Sequence, residues 1–255
     1  METSKKKLRA DHPDTLSSMA NLASTYRNQG RWDAAEELFV RVMETSKKKL
    51  GADHPYTLSS MGGLAETYNN QGRWDAAEEL GVQAMETCKK VLGPENPDTL
   101  SSMNNLALTY RNQGRWNQAE ELDVQVVEAR KMLLGAEHPD TLTSMNNLAV
   151  TYSNQGRWDE AEELFVQAME TRKRVLGAEH PDMLNSMNNP AVMYGNQGRW
   201  DEAEELQAKE LEMCKRILGT EHPSTLTGMN NLAHTCKELG RDADAVKLIE
   251  ECILL

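Results

Sequence analysis

The strongest constraint on this chain is a period. A His-Pro landmark, written Asn-Pro in one copy, places proline at Pro13, Pro55, Pro97, Pro139, Pro181 and Pro223. A glycine recurs at Gly30, Gly72, Gly114, Gly156, Gly198 and Gly240, so every spacing is 42 residues. Self-similarity at a fixed period of this size marks stacked supersecondary units and excludes a globule with one central core. The units fall at 12–53, 54–95, 96–137, 138–179, 180–221 and 222–255. Residues 1–8 duplicate 43–50, so residues 1–11 read as a partial second helix of a preceding unit. The expectation is a single repeat domain over 1–255.

Each unit resolves into two helices. Proline suits the first helical position, where no N–H bond is needed, and Asp14 favours the positive end of the helix dipole. Leu16, Met19, Leu22, Ala23 and Tyr26 then form one apolar stripe at spacings of three and four. Gly30 ends the helix by accepting a left-handed backbone, with Asn28, Asn70, Asn112, Asn154 and Asn196 as helix-capping candidates. The second helix begins near Trp32, where Asp33 and Glu36 have the form of a capping box. Ala35, Leu38, Phe39, Val42 and Met43 make its stripe. One such hairpin buries six to eight apolar side chains, each contributing roughly 1.5–3 kcal/mol. Ordering its backbone costs about 1–2 kcal/mol per residue. A lone hairpin is therefore marginal, and stacking on neighbours supplies the deficit.

Composition removes several function classes. The net charge is −12, whereas a nucleic-acid binder needs a basic face to displace counterions. No apolar run is long enough to span a bilayer, and the first residues lack an apolar signal segment. Cys88 and Cys214 occupy equivalent positions three units apart and cannot bridge; all four cysteines, with Cys236 and Cys252, read as reduced thiols of a cytoplasmic protein. Phosphate loops, nucleophile elbows and zinc spacings are missing from the sequence, so neither catalysis nor a cofactor is expected.

The markers Met19, Leu22, Ala23, Tyr26, Gly30, Trp32, Ala35 and Phe39 resemble the tetratricopeptide repeat. The 42-residue length and the "MNNLA..Y..QGR" phrasing are similar to its kinesin-light-chain-like subclass, found also at the C-termini of fungal and bacterial nucleotide-binding receptors. The resemblance implies an all-α, right-handed superhelical solenoid of antiparallel hairpins, with first helices lining a concave groove and second helices outside. It also implies a non-catalytic scaffold that holds an extended segment of a protein or peptide partner. The alternative is the sensor region of a larger nucleotide-binding receptor of the STAND type.

The candidate site is a ladder of amides. Asn21, Asn105, Asn147, Asn189 and Asn231 share one repeat position, which Gly63 interrupts; Asn104, Asn146, Asn188 and Asn230 precede four of them. An amide carries both donors and an acceptor, so such a ladder can grip a peptide backbone. Inter-repeat hydrogen bonding is the competing role, and the two are compatible. In related arrays the matching asparagines contact peptide main chain. Arg27 and Arg111, joined by Lys237, lie one turn further on and suggest a groove suited to an acidic or neutral peptide. The recurring Glu-Glu pairs are consecutive and cannot face each other, which marks a solvated face. The histidines read as caps or loop residues, and the tryptophans as wedges between hairpins.

Two local features stand apart. Pro190 replaces a core leucine and removes the backbone bond to Ser186, a flaw an array tolerates because neighbours on both sides still stack. The apolar tail Ile253, Leu254 and Leu255 would normally be covered by a further repeat, so head-to-tail self-stacking is expected.

Overall fold

A computed structural model describes residues 12–254 and is 83 % helical. Among the described residues there are twelve helices and no strand: α1 Pro13–Asn28, α2 Trp32–Leu50, α3 Pro55–Asn70, α4 Trp74–Val91, α5 Pro97–Asn112, α6 Trp116–Leu134, α7 Pro139–Asn154, α8 Trp158–Leu176, α9 Asp182–Asn196, α10 Trp200–Ile217, α11 Pro223–Glu238 and α12 Asp242–Leu254. Odd and even helices pair as antiparallel hairpins, as in a solenoid. The chain divides into two compact units, 1–129 and 130–255, with α6 running across the division.

The first helices start as the His-Pro signal requires. The Nδ1 of His12, His54, His138 and His222 accepts the backbone N–H two residues on, at 3.1–3.2 Å, and the Asn96 amide oxygen does the same at 2.9 Å. A second tie is absent from the sequence reading. The hydroxyls of Thr57, Thr99, Thr141 and Thr225 donate back to the carbonyls of Gly51, Gly93, Gly135 and Gly219 at 2.7–2.8 Å. The fifth unit carries Met183 there, and α9 starts at Asp182 with Pro181 in the capping position. At the other end Gly30 has φ +73°, as expected. The asparagines proposed as caps are instead the last helical residues, and Gln29 and its equivalents take the cap through their backbone.

The second helices correct a sequence expectation. Their caps are Arg31, Arg73, Arg157 and Arg199, none with a side-chain cap bond, so the Asp33–Glu36 capping box does not form. The arginine has another task. Its guanidinium lies over the first-helix tyrosine, Arg31 on Tyr26 at 4.0 Å and Arg199 on Tyr194 at 4.3 Å, a cation–π contact. It also reaches back to the preceding hairpin. Arg73 pairs with Glu36 at 2.9 Å, Arg115 with Glu78 at 2.5 Å, Arg199 with Glu162 at 2.7 Å and Arg241 with Glu204 at 2.7 Å. The first glutamate of each of these pairs is thus an inter-repeat latch, and only the second is the expected solvated face. The bond from Arg199 holds the Glu162 carboxyl below the usual range against its partial burial, with help from Tyr194 Oη at 2.8 Å. Trp32, Trp74 and Trp116 stay about two-fifths exposed at the helix start, whereas Trp158 packs against the core of Met193 and Tyr194 in the following hairpin and Trp200 lies 6.0 Å from the His234 ring.

The cores form at hairpin contacts. In the first unit Phe39 packs with Ala23, Ala35 and Leu64. A Cβ at residue 63 would lie 2.5 Å from the Phe39 ring as it is placed in this unit, although the same register further along pairs Phe165 with Asn189. Phe39 has Asp123 as its repeat equivalent, fully buried and paired with Arg111 at 2.6 Å. In the second unit Met183, Leu184, Met187, Met213 and Cys214 form one cluster. It borders α9, which runs unbroken through the buried Pro190; flexible methionines fill irregular space well.

Candidate binding groove

In each unit, clefts open between successive first helices, and these clefts collect most of the candidate residues. In the first unit the cleft between α1 and α3 is lined by Ala20, Asn21, Ser24, Arg27, Gly63 and Glu66. Its charges are already matched. Arg27 pairs with Glu66, and Asn105 Nδ2 donates to Glu66 Oε1 at 2.8 Å. Asn69 Nδ2 likewise donates to Thr109 Oγ1 at 2.8 Å, linking α3 to α5. The competing role of the amides, inter-repeat bonding, therefore holds for Asn105. Asn104 also has a partner. Arg111 turns away from the cleft, its side chain 8 % exposed against Asp123.

The second unit is different. The cleft between α7 and α9 is lined by Asn146, Asn147, Arg172, Asp182, Asn188 and Asn189. The cleft between α9 and α11 shares Asp182 and Asn188 and adds Glu210, His222, Thr227 and Asn231. Asn146 is 6 % exposed, and its Oδ1 has no hydrogen-bond partner among the described residues. A buried carbonyl left unbonded costs about 1–3 kcal/mol. Asn230 lies exposed beside Asn231.

Arg172 and Glu210 were not singled out from sequence; Arg172 shares its repeat position with Arg130, whereas Glu210 breaks the apolar series Val42, Ala84, Val126 and Ala168. Arg172 is 5 % exposed and donates to Ser186 Oγ at 2.8 Å and Thr143 Oγ1 at 3.2 Å. Burial pulls its pKa down, opposed by the nearby Asp182 charge. Burial pushes the Glu210 carboxyl up to about 7. The expected neutral or basic groove is corrected here. Asp140, Asp182 and Glu210 outnumber Arg172 along these clefts, and the repeat position of Arg27 holds Ser153 and Gly195.

The tail residues Ile253 and Leu254 are 76 % and 86 % exposed, and Leu255 and residues 1–11 lie outside the described residues. Cys88, Cys214, Cys236 and Cys252 are free thiols. Among the described residues no helix is long and apolar enough to cross a membrane, and no cluster of three metal-ligating side chains occurs.

Comparison with solved structures gives a kinesin-light-chain-type protein with nearly identical TPR-like repeats from Podosopora anserina, 34 % identical, TM-score 0.68, covering 81 % of this chain and 98 % of that one. The quorum sensor NprR in complex with its cognate peptide NprX is 17 % identical, TM-score 0.67, covering 98 % and 70 %. A STAND protein with a tetratricopeptide repeat sensor from Pyrococcus horikoshii is 15 % identical, TM-score 0.62, covering 99 % of this chain and 37 % of that one. The last two likenesses concern the fold alone. Comparison with curated proteins gives no match. The tetratricopeptide repeat profile matches residues 14–90, 63–132, 98–174, 140–195 and 182–253. With that coverage, and with kinesin-light-chain-like repeats at 34 % identity, the chain belongs to the tetratricopeptide repeat family.

Proposed function

We propose that this protein is a non-catalytic interaction scaffold that holds an extended peptide segment of a partner protein along the first-helix clefts, chiefly those of the second unit. The observation that carries the reading is the amide lining of two adjoining clefts by Asn146, Asn147, Asn188, Asn189 and Asn231, with a buried Asn146 oxygen still unbonded. Amides that pair with backbone N–H and C=O groups hold a strand without demanding one side chain. Asn21 and Arg27 would line the corresponding cleft within the first unit, with Arg27 acting through its pair with Glu66. The NprR–NprX complex shows a peptide held by a protein of similar fold, which supports the reading without assigning a ligand. The likeness to a STAND sensor supports the variant in which the clefts are the sensor of a longer receptor.

The test is replacement of Asn147, Asn189 and Asn231 by alanine together, with capture of a random extended-peptide library measured by sequencing. Loss of at least about tenfold in capture is expected, with an unchanged helical circular dichroism spectrum. Undiminished capture refutes the assignment.

A further inference from the structure

The position of Glu210 is occupied in the four preceding units by Val42, Ala84, Val126 and Ala168, all buried against the core, and in the sixth by the half-buried Cys252. The cleft of about 490 Å³ between α9 and α11 is close in volume to the α1/α3 and α7/α9 clefts, at about 460 and 480 Å³, and differs in having the Glu210 carboxylate in its wall. Every cation close to Glu210 on α10 is already spent. Lys209 pairs with Glu205 at 2.5 Å, Lys215 with Glu251 at 2.7 Å, and Arg216 with Glu179. Arg172, in the adjoining cleft, gives its N–H groups to Ser186 and Thr143. The titratable groups lining the cavity with Glu210 are Asp182, Cys214 and His222; neither lysine nor arginine is among the lining residues.

A half-buried carboxylate without a counter-ion is costly, because burial penalises the charge and nothing returns the energy. The raised Glu210 pKa, about 7, expresses that cost. A cation seated beside it would restore the ionised form and gain a charge-assisted hydrogen bond. The cavity walls suit the stem of such a side chain: Leu184 and Leu218 offer apolar surface, and Thr227 and Asn231 offer oxygens at the mouth.

We propose that the cavity around Glu210 is a specificity pocket for a lysine or arginine side chain on the extended segment that the second unit binds. The inference rests on the groove reading for its peptide context, but the pocket itself can be probed alone. Two measurements separate the two. In the first, Nα-acetyl-lysine amide and Nα-acetyl-norleucine amide are titrated into the full chain with 13C-labelled glutamate carboxyls, followed by NMR. The lysine amide is expected to lower the Glu210 titration midpoint by at least about one pH unit, and the norleucine amide to leave it unchanged. In the second, capped eight-residue peptides with a central lysine or norleucine are compared on the parent and on Glu210→Gln. Lysine peptides are expected to bind the parent about tenfold tighter, with the preference lost in Glu210→Gln and norleucine-peptide binding retained.

Equal binding of both peptide sets by the parent, or a Glu210 midpoint unmoved by the lysine amide, overturns the pocket while leaving the groove reading standing. A midpoint that moves while no peptide of either set binds supports the pocket and overturns the groove. Because His222, Asp182 and Cys214 line the same cavity, a preference that survives Glu210→Gln assigns the effect to them and also overturns the proposal.

Discussion

The buried ion pair between α5 and α6 allows the sharpest energetic prediction. Arg111 Nη1 and Asp123 Oδ2 lie 2.6 Å apart, with side chains 8 % and 0 % exposed. Substituting Asp123→Ala removes the countercharge and strands a guanidinium that water barely reaches. Breaking a pair of this kind costs about 3–5 kcal/mol, whereas replacing both partners by apolar side chains of similar size is close to neutral. The repeat tolerates apolar volume at this register, since the equivalent of Asp123 in the first hairpin is Phe39, with Arg27 at 5.9 Å over its ring. Repeat arrays open in parts, so the assay is local: native-state amide exchange on α5 and α6. For Asp123→Ala, protection in these helices should fall by roughly two to three orders of magnitude, since each ~1.4 kcal/mol is tenfold. The double substitution Arg111→Met with Asp123→Leu should restore protection to within about tenfold of the parent. A cost under ~1 kcal/mol for Asp123→Ala, or a double variant as unprotected as the single one, refutes the reasoning.

Gly63→Ala should destabilise the first unit by about 1–2 kcal/mol, because the added Cβ meets the Phe39 ring at 2.5 Å; pairing it with Phe39→Leu should recover most of the loss in a urea melt. The latch carboxylates predict an acid limb. Glu78 and Glu162 titrate below their unfolded value of 4.5, so their stabilisation is present above that pH and is lost as pH falls through the folded pKa. Arg199→Ala should flatten that limb for the second unit, and a melt series from pH 6 to pH 3 checks it. Glu210 has the opposite sign: its folded pKa of about 7 gives stabilisation that is lost as pH rises from about 4.5 through 7, and Glu210→Gln should remove that slope. The exposed Ile253 and Leu254 predict concentration-dependent association; Ile253→Asp with Leu254→Lys should abolish it in sedimentation, and association unchanged by the pair refutes self-stacking.

Sequence alone determined the hairpin array. Proline at the first helical position, a positive-φ glycine after sixteen residues and apolar residues at three- and four-residue spacing are local rules, satisfied within one unit. They place helix starts at Pro13, Pro55, Pro97, Pro139 and Pro223 without reference to any neighbour. What the sequence left open depends on contacts about 24 to 39 residues away. The Asp33–Glu36 pair reads as a capping box, yet Glu36 turns to Arg73 and Gln71 of the following hairpin, because a guanidinium and an amide donor there outweigh one local N–H. Gly63 reads as a gap in an amide ladder, and only the tertiary structure shows that the Phe39 ring lies against it. Asn105 and Asn147 look alike in sequence; Glu66 engages the first, and the second, without that glutamate, lines an open cleft. Glu210 looks like one more acidic residue on an acidic helix. It becomes the proposed pocket because α9, α10 and α11 together line a cleft around its carboxylate while the lysines of α10 pair elsewhere. Local periodicity decides where helices begin and which stripe is apolar; partner identity between stacked hairpins decides which polar groups stay unspent, and only tertiary structure sets that pairing.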